Sequence, residues 1–591
     1  MLYLGTTKFK IIRQRYLNTE DVIPIILLAL STIAHLICIN YGKPYHIHPD
    51  ESYIYTDALK VCSSYFEGRF QSEWNLSMTS TFLWTPVVFV LGILTDIWSS
   101  FDEFKTAFIA GDFDVLHYYR ILSVLLVLAG NLLLLRIVNN RIKDSFLRLS
   151  FLSMAFFNGL FLATNIYIKI DSLAYFCTIA YLYVLLRNNV LTRAGKHSLR
   201  SFPLLTLLSM GRVDVLVLHF FVSAFIIYQI FREKNGGVLP LLKYTGICML
   251  VYCAITLKPV VLFYRYMHPA FVTETWESFG TIVAQSTASV FSSLSFSQMA
   301  IKVFRHFIET ANIFILLTPT VLLLFILKPS RTGIILILSA ITVLGVFALV
   351  GVSNFPRHRM LPFLLLFLSM IMASNVNSMS GVKKGILSLL LILQIAPYAI
   401  IAYKINIPNN YRSQLRDYIL THTSKDDVIA QASYGIDGYS IEILSSAEYY
   451  RTLAKSSLAT GAGTGQKALY KSKLKNLNRR TIIPVLNSHL ILKVKGDSRI
   501  QRILHGDTLL AAEEEYADVL SFSFFECSDK FRASKYYINR DLGVNDCIKE
   551  NFILEKVFSP KPAIIPWYTG LINNMLFKVD FYVWKNKKYL P

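Results

Sequence analysis

The chain has 591 residues, 54% of them apolar or aromatic and only 16% charged, with a mean hydropathy of +0.46. That balance excludes an ordinary soluble globule and points to a protein built for a membrane. The net charge of +21 does not indicate a nucleic-acid partner, because Lys and Arg fall in short connections between apolar runs.

The first 21 residues form a basic tail with Lys8, Lys10, Arg13 and Arg15. The run Val22 to Ile39 follows and approaches the roughly 20 residues needed to cross the hydrocarbon layer. No small-residue cleavage site comes after it, only Tyr41-Gly42-Lys43-Pro44, so the run reads as a retained span with a cytoplasmic tail.

Further basic connections lie at Arg136 to Arg148, Arg187 to Arg200, Arg232 to Lys243, Lys328 to Arg331 and Lys383-Lys384. The positive-inside rule places all five in the cytoplasm. Phe82 to Trp98 breaks that alternation and reads as a juxtamembrane or re-entrant helix, so a first outer loop extends over 41–117.

Other apolar runs occur near Tyr118 to Ile137, Ser150 to Thr164 and Ser172 to Leu186, with a short pair inside Phe202 to Phe231. They continue at Leu239 to Val260, Ile308 to Leu327, Ile334 to Val352, Met360 to Ala373 and Ile386 to Tyr403. The expected fold class is an all-α polytopic membrane domain of about 11 transmembrane helices over 22–404, followed by a C-terminal α/β extracytoplasmic domain over 405–591. In that second part Arg412 to Thr423 has the pattern of an amphipathic helix, and Phe577 to Val583 alternates as a strand does. Cys527 and Cys547 both fall there, where an oxidising compartment would allow a disulfide.

Ionisable groups at the edge of a bilayer are costly and usually serve an aqueous cavity or a partner. Four such places are expected on the outer face. They are the tetrad His48-Pro49-Asp50-Glu51, Asp171, the pair Arg212 and Asp214, and the cluster Arg357-His358-Arg359. Asp50 and Asp171 could each cap a helix N-terminus, and the arginines could contact lipid headgroups. Arginine forks also match phosphate oxygens, so acids and arginines together suit transfer from a lipid phosphate.

These residues resemble a known superfamily. An acidic motif in the first outer loop, a second acid at a later span and an outer C-terminal domain look like the GT-C glycosyltransferases, which use polyprenyl- or dolichyl-phosphate sugars. His48-Pro49-Asp50-Glu51 is similar to the HPDE motif of endoplasmic-reticulum α-mannosyltransferases. Arg359-Met360-Leu361-Pro362-Phe363 looks like their Arg-[Phe/Tyr]-Leu-x-Pro run with the proline one place early. The Trp-Glu-Phe signature of those enzymes is reduced here to Ser72-Glu73-Trp74-Asn75, and the architecture is closer to the protein O-mannosyltransferase and aminoarabinose transferase groups.

The resemblance implies a membrane glycosyltransferase in which Asp50 is the general base, with Glu51 and Asp171 as catalytic helpers. His48, Arg212, Asp214, Arg357, His358 and Arg359 would bind substrate. The donor would be a polyprenyl- or dolichyl-phosphate sugar and the acceptor a glycan, lipid or protein. No metal ligand is assigned, although a divalent cation, Mg or Mn, would suit bridging carboxylates. The expected location is a bacterial or archaeal plasma membrane or the endoplasmic reticulum, with the site on the outer or lumenal face. A transporter or lipid flippase is the alternative, but such proteins tend to show repeats and midplane breaks, and no internal repeat is evident.

Overall fold

The computed structural model describes residues 19–40, 76–101, 103–104, 113–159, 161–162, 170–191, 200–211, 213–232, 331–350, 377, 379–406, 411–424, 427–433, 481–486, 529–539, 546–559 and 581–590, with short pieces between 242 and 304. The helical part comprises α1 (Thr19–Cys38), α2 (Leu76–Leu94), α3 (Phe113–Arg141), α4 (Ser145–Phe156) and α5 (Ile170–Arg187). It continues with α6 (Phe202–Ser209), α7 (Val213–Arg232), α8 (Arg331–Val350), α9 (Gly381–Leu393) and α10 (Ala396–Asn406).

The helical core is one apolar cluster that includes Leu134, Leu152, Tyr175, Leu182, Leu205, Leu218, Leu336 and Leu387. Helices α3 and α5 approach closely because Gly130 leaves room for an aromatic ring. A Cβ there would lie 2.7 Å from Tyr175 Cε1, and the Tyr175 hydroxyl donates to Asn131 Oδ1 at 2.5 Å. That bond satisfies two polar groups that would be costly if left alone inside the cluster.

Helix α2 stops at a sharp reversal. Asp96 adopts a positive φ of 56°, and the Trp98 indole folds back to donate to the Phe89 carbonyl at 2.9 Å. Gly92 faces that ring so closely that a Cβ would sit 1.9 Å from it.

Helices α3, α4 and α9 meet at one corner. Asp144 caps α4, accepting from the Leu147 N–H at 3.0 Å, and pairs with Lys384 at 3.3 Å. The Leu147 N–H leads in holding the Asp144 carboxyl below its ordinary pKa, with Lys384 adding to it against a desolvation penalty. Asn377 accepts from the Lys143 N–H at 2.8 Å and donates to the Arg141 carbonyl at 3.1 Å. The basic connection after α3 is thereby fixed beside Lys383 and Lys384.

The expectation of about 11 spans in a GT-C-like bundle is corrected here. Among the described residues two helices, His117–Arg141 and Gly381–Tyr403, are long and apolar enough to cross a membrane. The other apolar helices, Val22–Cys38, Leu83–Leu94, Ser145–Phe156, Val215–Gln229 and Thr332–Val343, are shorter. Crossing needs length as well as apolar composition. The 12 residues of α4 rise only about 18 Å, against a hydrocarbon core of about 30 Å.

The pair α6 and α7 divides one largely apolar stretch. It forms a hairpin whose open ends lie beside the end of α5, where Asn188 donates to Ser201 at 2.8 Å and Gln229 to the Leu191 carbonyl at 3.2 Å. Its tip, Gly211, packs on Cys177. The reversal at Gly211 therefore divides this apolar stretch into the 8 residues of α6 and the 20 residues of α7. The runs expected at Leu239 to Val260, Ile308 to Leu327 and Met360 to Ala373 lie largely or wholly outside the described residues.

Beyond α10 the chain builds a small mixed sheet flanked by helices. Helix α11 (Tyr411–His422) precedes β1 (Val428–Ser433) and β2 (Thr481–Leu486). Then come α12 (Asp529–Ala533), β3 (Tyr536–Asn539), α13 (Asp546–Asn551), β4 (Phe552–Phe558) and β5 (Phe581–Asn586). The strand order is β2-β1-β3-β5-β4; β1 runs parallel to β2 and β3, and β5 antiparallel to β3 and β4.

Each sheet face buries its own cluster. Leu415 and Ile419 of α11 cover Ile429, Ile538 and Val583 on one side, while Phe531 and Ile548 cover Tyr537, Phe552 and Trp584 on the other. The alternation of Ile538 with Tyr537 and of Val583 with Trp584 across the two faces is the period-two pattern of a strand. Helix α11 occupies the stretch whose amphipathic pattern predicted it, and β5 takes in the end of the expected strand Phe577 to Val583, whose first four residues lie outside the described residues. Cys547 is disulfide-bonded, and its partner lies outside the described residues.

Candidate functional site

The tetrad residues His48, Asp50 and Glu51, together with Arg212, Arg357, His358 and Arg359, lie outside the described residues. Asp171 and Asp214 are placed, Asp171 in the first turn of α5 and Asp214 in the first turn of α7.

What the structure does describe is how both flanks of the tetrad segment are held. One turn of α3, Tyr118-Tyr119-Arg120, binds both of them. Arg120 is fully buried and donates from Nη1 to the Ile39 carbonyl at 2.6 Å, at the point where the chain leaves α1 toward the tetrad.

On the far side, α2 attaches to the same turn. Trp84 Nε1 donates to the Tyr118 carbonyl at 3.0 Å, and the Thr85 and Tyr119 hydroxyls share a hydrogen bond of 2.6 Å. The Tyr118 hydroxyl also bonds Thr95. Sequence reasoning passed over Arg120. Its signal was a lone basic residue one turn inside an apolar run, where an ionised group is costly unless partnered.

Asp171 is 3% exposed. It stands four residues before Tyr175, hence on the same side of α5, and Tyr175 bonds Asn131 of α3. Asn131 is about 16 Å along α3 from Arg120, and Asp171 is one turn from Tyr175, so Asp171 and Arg120 are separated by at least about 10 Å along the helix axis. Asp171 therefore sits within the helical packing.

The hairpin tip approaches α5 from another side. Gly211 packs on Cys177, where a Cβ would lie 2.6 Å from Sγ and 2.7 Å from Cβ. Cys177 is six residues beyond Asp171, about 9 Å along the axis and about 120° around it. The start of α7, with Asp214, is thus brought near the first turns of α5 but on a different face from Asp171. Below the tip His219 is held on both nitrogens, by the Tyr181 hydroxyl at 3.0 Å and the Thr206 hydroxyl at 3.0 Å.

The sheet part carries a separate polar cluster. Burial raises the Tyr418 hydroxyl pKa above its ordinary value and pushes Tyr536 up to about 12, with Glu555 adding to both. Glu555 pairs with Lys585 at 3.3 Å. Tyr418 stacks on His422 at 4.0 Å and carries the Lys556 ammonium 4.6 Å from its ring centre, a cation–π contact.

At the base of β1, burial pushes the Asp427 carboxyl up. The Lys535 ammonium at 2.8 Å and the Ser424 N–H at 2.6 Å outweigh that effect and hold it below its ordinary value. These groups tie α11 and β3 together. Among the described residues no group of three or more His, Cys, Asp or Glu is placed to hold a metal ion.

No protein-family model matches the sequence. Comparison with curated proteins likewise gives no match. A functional reading therefore rests on this chain's own residues.

Proposed function

We propose that the protein is a membrane glycosyltransferase that moves a sugar from a polyprenyl- or dolichyl-phosphate donor to a hydroxyl of a glycan, lipid or protein acceptor. The observation that carries the reading is the His48-Pro49-Asp50-Glu51 tetrad, in a segment whose flanks converge on one turn of α3. The similarity of the tetrad to the HPDE motif of lipid-phosphate-dependent mannosyltransferases supports it.

In this mechanism Asp50 takes the proton of the acceptor hydroxyl as that oxygen attacks the anomeric carbon. The carrier phosphate departs with the bonding electrons, and Arg359, with Arg212 or His358, neutralises its charge. Glu51 orients the acceptor or stabilises positive charge developing on the sugar, and Asp171, buried within the helical packing, would act only by supporting the helices around the site.

The site belongs on the outer or lumenal side of a bacterial, archaeal or endoplasmic-reticulum membrane. The basic ends of the two helices long enough to cross support that orientation by the positive-inside rule, and the disulfide at Cys547 suits an oxidising compartment.

The test is sugar transfer by membranes containing the full chain, supplied in parallel with labelled polyprenyl-phosphate mannose, glucose and arabinose. Wild type should transfer one of the three, and Asp50→Asn should lose at least about 100-fold in rate, the lower end of what a positioned base contributes. Undiminished transfer by Asp50→Asn would overturn the assignment of the base.

A further inference from the structure

The corner where α3, α4 and α9 meet joins the ends of the two helices that are long and apolar enough to cross a membrane. His117–Arg141 finishes there and Gly381–Tyr403 starts there. Asn377 and the Asp144–Lys384 pair hold the two ends side by side. The 25 residues of His117–Arg141 rise about 37 Å, more than the hydrocarbon thickness, and Gly381–Tyr403 takes in α9, the turn at Gln394-Ile395 and most of α10, so a bilayer crossed by this pair has its polar boundary at the corner.

The exposed stripes of both helices change character at that level. On α3, Leu125 and Leu132 are exposed and their stripe passes to Arg136, while Arg141 is exposed on another face at the end of the helix. On α9, Leu393, Leu389, Ile386 and Val382 are exposed, with Lys383 at the end. An apolar stripe terminating in basic side chains fits lipid tails below and headgroups above.

The charge there is one-sided. Residues 136–148 and 377–386 contain six Lys or Arg and a single carboxylate, Asp144. Asp144 is already committed to Lys384 and to the α4 N-terminus, while Arg141, Lys143 and Lys383 are exposed.

We propose that Arg141, Lys143 and Lys383 form a binding site for the headgroup of an anionic phospholipid. The site is independent of the transfer chemistry and distant from the Tyr118–Arg120 turn at the other end of α3. Each basic side chain near an anionic surface contributes roughly fivefold in binding, so removing three charges should cost at least about tenfold.

The experiment uses the full chain in neutral detergent with equimolar phosphatidylglycerol and phosphatidylcholine, and reads the lipid retained by native mass spectrometry. Wild type should retain phosphatidylglycerol at least about tenfold over phosphatidylcholine. The Arg141→Gln/Lys143→Gln/Lys383→Gln variant should bring that ratio near one, and a control with Lys549, Lys587 and Lys588 changed to Gln should leave it intact. Should the triple variant fail to fold, single changes Arg141→Gln and Lys383→Gln report instead, each expected to lower the ratio roughly fivefold. Equal retention of the two lipids by wild type, an undiminished ratio in the variants, or an equal loss in the control would overturn the site.

Discussion

Replacing Gly211 by Ala tests the placement of the hairpin tip that carries Arg212 and Asp214. The new methyl would lie 2.6 Å from Cys177 Sγ, 2.7 Å from its Cβ and 3.4 Å from the Leu208 carbonyl. A contact of 3.5–4.0 Å is comfortable for carbon, so roughly 1 Å must be found. The sulfur can rotate away, but the Cys177 Cβ is fixed to α5, so either the helix or the hairpin shifts. Overpacking of this kind costs about 1–3 kcal/mol, which is about 2–12 °C in melting temperature for a domain of 150–250 residues.

The decisive measurement is a double-mutant cycle in detergent, followed by intrinsic fluorescence on heating. Cys177→Gly alone should destabilise by about 1–2 kcal/mol, mostly because a buried side chain is lost, with a few tenths from glycine in a helix interior. Combined with Gly211→Ala it removes both clashing atoms, so the pair should be less damaging than the sum by at least about 1 kcal/mol. Additivity within about 0.5 kcal/mol, the behaviour of independent sites, would refute the packing of the tip on α5.

Arg120→Gln should weaken the hold on the Ile39 carbonyl and cost about 1.5–3 kcal/mol, the range for hydrogen bonds to charged groups. Protease nicking between residues 41 and 75 should accelerate in this variant, and an unchanged cleavage rate would count against the anchoring. In the sheet part, Asn586 is 1% exposed and bonds the Arg532 and Ser534 carbonyls at 2.8 Å each and the Lys588 N–H at 3.0 Å. Asn586→Ala should destabilise by about 2–4 kcal/mol, taking about 1 per bond and the cost of stranded buried partners, read by thermal melting. Asp427 has a folded pKa below its unfolded one, so its stabilising contribution is present above about pH 4 and is lost as pH falls through the folded value. Asp427→Asn should accordingly lose stability near neutral pH and converge with wild type in acid; a constant difference down to pH 2 would contradict the Lys535 pairing.

The sequence makes some of this legible and hides the rest for physical reasons. Amphipathic spacing marks α11 because one face must cover the sheet through Leu415 and Ile419. Among the described residues hydropathy overstates the number of spans because it counts apolar residues, whereas crossing also depends on helix length. The stretch around Phe202 to Phe231 is largely apolar, yet the reversal at Met210 and Gly211 divides it into helices of 8 and 20 residues.

Arg120 is hidden for another reason. Its partner, the Ile39 carbonyl, is 81 residues away, and a backbone acceptor carries no sequence signature. The same holds for Asn377, which binds backbone atoms of Arg141 and Lys143 across more than 230 residues. The tetrad itself is conspicuous as a string of letters. Its surroundings depend on long-range bonds from side chains to the main chain, and these can be read only once the helices are in place. A site whose acids are local in sequence can thus depend on supports that are not, and variants at Arg120 or Thr85 should alter transfer without touching any acid.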